Sequence, residues 1–232
     1  MTPILMDFHS HILPGVDHGA SDIKESISFL KAAGAVGIQT IVATSHFYPH
    51  EHTVKQFLAH RAFAYETLLE ACQGQALPRL LLGAEVLLCA GLENMDDVEQ
   101  LCVEGTKTLL LELPFSITKD SESLFDSVEA LLREKKLTVV LAHPNRYETA
   151  VIERALALGC LLQLNMEDLI RFRERSRIKN WARMGAVVAV GSDIHHEPSI
   201  YKKFGKGASV LGETVQFVNE TAMSLIKSTC TS

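Results

Sequence analysis

Cysteines are few in this 232-residue sequence, and none form a C-x-x-C pair: Cys72, Cys89, Cys102, Cys160 and Cys230. An odd number without ligand spacing argues against a thiolate zinc site or a disulfide framework, and it suits a reducing compartment. No apolar run approaches the roughly 18–20 residues of a membrane span; the stretch from Leu80 to Leu92 is broken by Glu85. The segment from Met1 to Asp7 lacks the basic region and long apolar core of a signal peptide. The expectation is a cytoplasmic protein with no membrane span. Basic charge is not in excess: 22 Lys and Arg stand against 28 Asp and Glu, a net charge of −6, which argues against a nucleic-acid partner. No Pro-, Gly- or Ser-rich linker, low-complexity tract or close repeat divides the chain, so residues 1–232 are expected to form a single domain.

What is present is alternation. Seven short β-branched or Leu-rich runs are separated by helical stretches: Ile4–Asp7, Gln39–Thr44, Arg79–Leu87, Thr108–Leu113, Thr138–His143, Cys160–Asn165 and Val187–Gly191. Aromatic residues make up 6% of a chain that is 47% hydrophobic, so these strands are aliphatic and suited to burial on both faces. Thr53 and Gln56 predict a capping box, followed by a face of Val54, Phe57, Leu58, Ala62, Tyr65 and Leu69. A helix from about Asp22 buries Ile23, Ile27 and Leu30 and ends at Gly34; Gly159 and Gly185 close helices beginning near Thr149 and Glu167. The stretch from about 208 to 228 is a final helix that packs on the barrel or joins a homo-oligomer interface. The fold class is α/β, a (β/α)7-type distorted TIM-like barrel, with an open doubly wound sheet as the structural alternative.

In such a barrel, chemistry sits where strands end. Strand one ends in Asp7-Phe8-His9-Ser10-His11, with Asp17 in its loop, and strand two ends at His46. Strands three and four carry Glu85 and Glu112 within leucine runs. Strand five ends in His143-Pro144-Asn145-Arg146, six in Asn165, and seven in Ser192-Asp193-Ile194-His195. His9 and His11, two apart on extended chain, face the same side, as do Asp193 and His195. An uncompensated carboxylate in an apolar strand costs of order several kcal/mol, so a cation partner is expected. Imidazole and carboxylate donors suit Mn²⁺, Fe²⁺ or Zn²⁺, and their number exceeds one ion, pointing to a cluster of two or three.

With these motifs in view, the sequence resembles the PHP (polymerase and histidinol phosphatase) superfamily, and more narrowly the CpsB/CapC-type bacterial protein-tyrosine phosphatases of exopolysaccharide operons. The likeness rests on Asp7 to Asp17, Ala43-Thr44-Ser45-His46, Gly83-Ala84-Glu85, His143 to Tyr147 and Ser192 to His195. It implies the PHP fold and a metal-dependent protein-tyrosine phosphatase, with Mn²⁺ as the first choice of ion. Its substrate would be a phosphotyrosine protein, a bacterial tyrosine kinase being the expected partner. It further implies that His9, His11, Glu85 and Asp193 bind one ion, that Glu85, Glu112 and His143 bind a second, and that Asp17, His46 and His195 bind a third. Asp7 would orient a ligand imidazole, and Arg146 would grip the phosphate with a bidentate fork. Water activated by the cluster would attack phosphorus in line, with His195 or a coordinated water as proton donor. One departure is His18, which stands where the family usually has an acid.

Other readings are weaker. None of the cysteines has arginine six positions on, so a cysteine-dependent phosphatase loop is absent; they are expected to be small buried hydrophobes. Gly205-Lys206-Gly207 is no Walker motif. The run Arg171–Arg177 is interleaved with Glu174 and is expected to be a solvated outer helix, and His50 and His52 to be exposed loop residues. An amidohydrolase resembles a pattern with Lys on strand four and His on strand six, where this chain has Glu112 and Asn165. A histidinol-phosphate or other small-molecule phosphatase is the main alternative. A non-catalytic metal-bound regulator has little need for an open site.

Overall fold

The computed structural model describes residues 2–227. Met1, Cys230 and the expected helix end at Ser228 lie outside the described residues. In chain order the elements are β1 (Met6–Ser10), α1 (Ile23–Ala35), β2 (Thr40–Ala43), β3 (His46–Phe47), α2 (Val54–Ala71), β4 (Arg79–Leu82) and β5 (Glu85–Leu87). There follow β6 (Thr108–Glu112), α3 (Glu122–Arg133), β7 (Thr138–Leu141), α4 (Thr149–Leu158), β8 (Leu161–Asn165), α5 (Met166–Ile170), α6 (Arg175–Arg183), β9 (Val187–Gly191), α7 (Phe204–Leu211) and α8 (Thr214–Leu225).

All strand pairs are parallel, in two sheets of order β1-β2-β4 and β3-β5-β6-β7-β8-β9. The sheets are continuous in chain, because β2 and β4 both stop and restart as β3 and β5 after two residues. The expected strand Arg79–Leu87 is therefore two strands, broken at Gly83-Ala84. A Cβ at Gly83 would lie 3.1 Å from Val42 Cγ1 and 3.3 Å from Thr44 Cγ2, and Arg61 of α2 donates to the Gly83 carbonyl at 2.6 Å. The wall's two edges meet at a single bridge, Ser10 to Ile194, flanked by His11 N to Ile194 O (3.1 Å) and Asp193 N to His9 O (2.8 Å).

Alternate residues of the inner strands join different cores, as period-two geometry requires. Leu109, Leu111, Val139 and Leu141 pack in the larger one; Leu110 and Val140 pack with Met6, Phe8, Val42 and Ala222 in the smaller. Helix α8 is tied to the strands' N-terminal ends: Asn219 bonds Leu5 N and Pro3 O, Thr221 bonds Val188 O, and Thr108 bonds Leu225 O. The C-terminal ends are left for the site.

The Thr53–Gln56 capping box forms, and Gly159 ends α4 at φ 109°. The buried face of α2 is Val54, Phe57, Arg61, Ala64 and Leu68, with Leu69 exposed, so the expected face is partly out of phase. Helix α1 runs past Gly34 to Ala35. The helix expected from Glu167 to Gly185 is interrupted by a 3-10 turn, Phe172–Glu174, in which no residue is buried to hold a continuous helix against the wall. The expected final helix is α7 and α8, separated at Gly212, whose φ is 58°.

Candidate metal centre

The C-terminal ends of the strands converge on one cluster. His9 and His11 come from β1, His46 opens β3, Glu85 opens β5 and Glu112 ends β6. His143 and Asp193 follow β7 and β9 in left-handed conformations (φ 34° and 52°), which turn their side chains out of the strand alternation. His46 and Glu85 are register partners.

Three overlapping groups place one donor atom per residue within 4.8 Å of the others: His9, His11, Glu85 and Asp193; His11, His46 and His195; and His46, Glu85 and Glu112. His143 Nε2 lies 2.7 Å from Glu85 Oε1 and 3.6 Å from Glu112 Oε1. Asp17 is not a member of these three groups. Its Oδ2 is 2.7 Å from His11 Nδ1 and accepts from the His46 main-chain N at 2.8 Å.

The donor set fits cations. His9 Nδ1 pairs with Gln163 Oε1 at 2.9 Å and His11 Nδ1 with Asp17. In the neutral imidazoles both Nε2 atoms are then bare lone pairs, yet they face each other at 3.1 Å. Glu85 Oε2 lies 3.0 and 3.2 Å from these two nitrogens, and Asp193 Oδ1 lies 3.4 and 3.3 Å away. Two lone pairs and two carboxylates around one point repel unless a proton or a metal ion stands among them. Glu85 Oε2, His46 Nδ1 and His195 Nε2 are also buried without a hydrogen bond. His195 Nδ1 pairs with Asp193 O at 3.0 Å, which leaves Nε2 as the ring atom that could meet a cation.

Protonation follows the same geometry. Burial opposes charge on His9, but Glu85 and Asp193 outweigh it and hold its pKa at about 9. His11 is likewise raised, against burial, by Asp17, Asp193 and Glu85. Burial, reinforced by the charge of His11, brings His46 to about 3 and His195 to about 4. Burial and then Glu85 lift Glu112 to about 7. Glu85 and Asp193 lie below the usual carboxylate range despite burial, because the imidazoles hold them charged. Protons on His9 and His11 thus supply the positive charge that ions otherwise bring.

Arg146 stands at the rim, half exposed, with Nη2 2.9 Å from Asp193 Oδ2 and Nη1 3.2 Å from His143 Nε2. It lines a cleft of about 460 Å³ with Asn165, Asp193, His195 and Glu197. Residues 5–226 match the family described as capsular polysaccharide synthesis, CpsB/CapC. The chain belongs to this family.

Among its CpsB/CapC relatives, tyrosine-protein phosphatase YwqE of Bacillus subtilis (strain 168) is 33% identical over 146 residues, 61% of this chain and 55% of YwqE, so that match spans just over half of YwqE's length. Tyrosine-protein phosphatase CpsB of Streptococcus agalactiae serotype III (strain NEM316) is 26% identical over 217 residues, 83% of each chain. A chain from the crystal structures of YwqE from Bacillus subtilis and CpsB from Streptococcus pneumoniae, described as unique metal-dependent tyrosine phosphatases, superimposes with a TM-score of 0.78 at 22% identity. It covers 95% of this chain and 94% of that one. Histidinol phosphate phosphatase from Lactococcus lactis subsp. lactis Il1403 follows at a TM-score of 0.54 and 9% identity, covering 91% and 95%. The fold is thus the α/β, TIM-like fold of these structures.

Two features of this CpsB/CapC chain differ from the sequence reading. Asp7 touches no imidazole; its carboxylate accepts from Ser192 N (2.8 Å), Ser192 Oγ (2.6 Å) and Tyr201 Oη (2.8 Å), and from His9 N at 3.3 Å. It ties β1 to the turn after β9, and Gln163 and Asp17 hold the two imidazoles instead. Gln163 was not singled out, although Leu162-Gln163-Leu164-Asn165 alternates polar residues within a buried strand. Of the remaining residues, His18 is exposed and stacks on His46 and His195, with 4.6 Å between centroids in each case. His50 and His52 are exposed, His50 lying 3.7 Å from Glu51. Cys102 and Cys160 are buried, while Cys72 and Cys89 are half-buried. Among the described residues, no helix is long and apolar enough to cross a membrane.

Proposed function

We propose that this chain is a metal-dependent phosphomonoester hydrolase that removes phosphate from phosphotyrosine in a cytoplasmic partner protein, a bacterial tyrosine kinase in first place, in the service of capsule or exopolysaccharide synthesis. The observation that carries the reading is the pair of imidazole Nε2 atoms facing each other at 3.1 Å beside Glu85 and Asp193, with Arg146 at the rim. The names of YwqE and CpsB support phosphotyrosine as substrate.

His9, His11, Glu85 and Asp193 would hold one ion, and Glu85, Glu112 and His143 a second. His46 and His195, with Asp17 or His11, would hold a third. Mn²⁺ is the first choice; Fe²⁺ and Zn²⁺ accept the same donors. Bound divalent ions neutralise charge on the phosphate ester and make water nucleophilic near neutral pH. Arg146 takes two phosphate oxygens in its fork on leaving Asp193, which holds the ester in line and offsets charge as the bond to the leaving oxygen breaks. His195 is neutral at pH 7 with Nδ1 turned to Asp193 O, so its Nε2 lone pair is a ligand and the leaving group takes its proton from water.

The test is phosphate release from a phosphotyrosine peptide and from histidinol phosphate, with Mn²⁺ and then with excess EDTA. Mn²⁺-dependent turnover favouring the peptide is expected. Preference for histidinol phosphate would replace the substrate, and no release from either by the loaded protein would overturn the catalytic reading.

A further inference from the structure

The cluster is approached from two sides. The cleft that contains Arg146 has charged walls, and its charges are already engaged: Arg171 lies 3.6 Å from Asp168, and Lys203 donates to Glu167 at 2.6 Å. A second cleft, of about 450 Å³, opens on the His46 side and has a different chemistry. Its walls include Val16, His18, His46, Tyr48 and Phe57, together with two carboxylates, Asp17 and Glu51, of which Asp17 is held by His11. Here the rings lie nearly parallel: His18 to His46 at 4.6 Å and 16°, and His46 to Tyr48 at 5.0 Å and 18°. Phe57, 3% exposed, packs edge-on against Phe47 with 5.4 Å between centroids. The loop Phe47–His52, which the phosphatase reading leaves without a role, forms much of this wall.

We propose that this second cleft is the slot for the aromatic ring of an aryl phosphate, and that Tyr48 determines specificity for aryl over alkyl phosphomonoesters. The proposal rests on the phosphatase reading above. In an aryl phosphate the ring begins one ester oxygen from phosphorus. A phosphate on the cluster therefore leaves its ring beside the stacked rings of His18, His46 and Tyr48. A phosphoserine or a sugar phosphate has at that point a tetrahedral carbon and nothing to stack.

Two measurements test the slot. In the wild-type, metal-loaded protein, benzylphosphonate should bind about 3- to 10-fold more tightly than (cyclohexylmethyl)phosphonate, the range of one stacked aromatic contact. That comparison is read by calorimetry and needs no turnover, so it stands even if neither ester is hydrolysed, a result that would sink only the phosphatase reading. In Tyr48→Ala the ratio of kcat/KM for phenyl phosphate over glycerol 2-phosphate should fall by a similar factor, mainly through KM, and Tyr48→Phe should restore it. Equal binding of the two phosphonates, or a ratio unchanged in Tyr48→Ala, would overturn the assignment.

Discussion

Replacing Gln163 by leucine isolates the carboxamide from the space it fills, because the two side chains are close in volume. Gln163 is wholly buried. Its Oε1 accepts from His9 Nδ1 at 2.9 Å and from His143 N at 3.4 Å, and its Nε2 donates to Asn165 Oδ1 at 3.1 Å. Asn165 in turn donates to Asp193 Oδ2 at 2.7 Å. One amide therefore sets the tautomer of one ligand and, through its neighbour, the orientation of another. In Gln163→Leu the Nδ1 of His9 is left buried without an acceptor, at a cost of about 1–3 kcal/mol. For a chain of this size that corresponds to a fall in Tm of roughly 2–12 °C. The larger effect falls on the ion, since loss of an outer hydrogen-bond partner weakens metal affinity about 10- to 100-fold. Calorimetric titration of Mn²⁺ into metal-free wild type and variant reads this directly. Gln163→Glu keeps the acceptor for His9 but not the donor to Asn165, and should fall between the two. An unchanged Mn²⁺ affinity in Gln163→Leu would refute the argument that this amide orients the ligands.

His9, held at about 9, carries a proton at pH 7 in the metal-free protein and must lose it to ligate. Metal affinity should therefore rise about tenfold per pH unit above pH 7 for each proton displaced, and up to about a hundredfold where His9 and His11 both lose one, and calorimetry in buffers of different ionisation enthalpy should show proton release; a flat profile would contradict it. Arg146→Lys should lower kcat/KM on phosphomonoesters by about 10²-fold, because a single ammonium does not reproduce a two-point grip, and steady-state kinetics at saturating Mn²⁺ would show it. Gly191→Ala would drive a Cβ into His9, 2.8 Å from its main-chain N and from Gln163 Nε2. It should cost about 1–3 kcal/mol of stability and weaken Mn²⁺ binding, whereas Gly205→Ala, with nothing within 4 Å of the added carbon, should do neither.

The wall was legible because its strands are short aliphatic runs between helices with readable caps, and the charged interruptions Glu85 and Glu112 marked where its inner face turns polar. What stayed hidden depends on distant partners. The break at Gly83-Ala84 answers to Val42 and Thr44 on the neighbouring strand and to Arg61 on a helix. The phase of α2 differs from the apolar pattern because an arginine lies on its buried face, where it bonds a main-chain carbonyl. Asp7 sits two residues before His9 and suggests an imidazole partner by proximity, but Ser192 and Tyr201, both brought by the far end of the chain, take its lone pairs. Gln163 gave a local signal, a polar residue at i, i+2 from Asn165 in a buried strand, and was passed over because an uncharged amide raises no electrostatic alarm.

Asp7 and Ser192 lie 185 residues apart, and the wall's seam is the single Ser10–Ile194 bridge. The donor groups that span this seam combine His9 and His11 from its first side with Asp193 and His195 from its second. A growing chain presents the two early histidines long before their partners leave the ribosome, and no form truncated before Asp193 holds a full set. A cation that requires the whole set therefore favours the joined seam over every open form by mass action. In this protein the ion would act as a clasp, fastened last, reporting that the final strand has arrived.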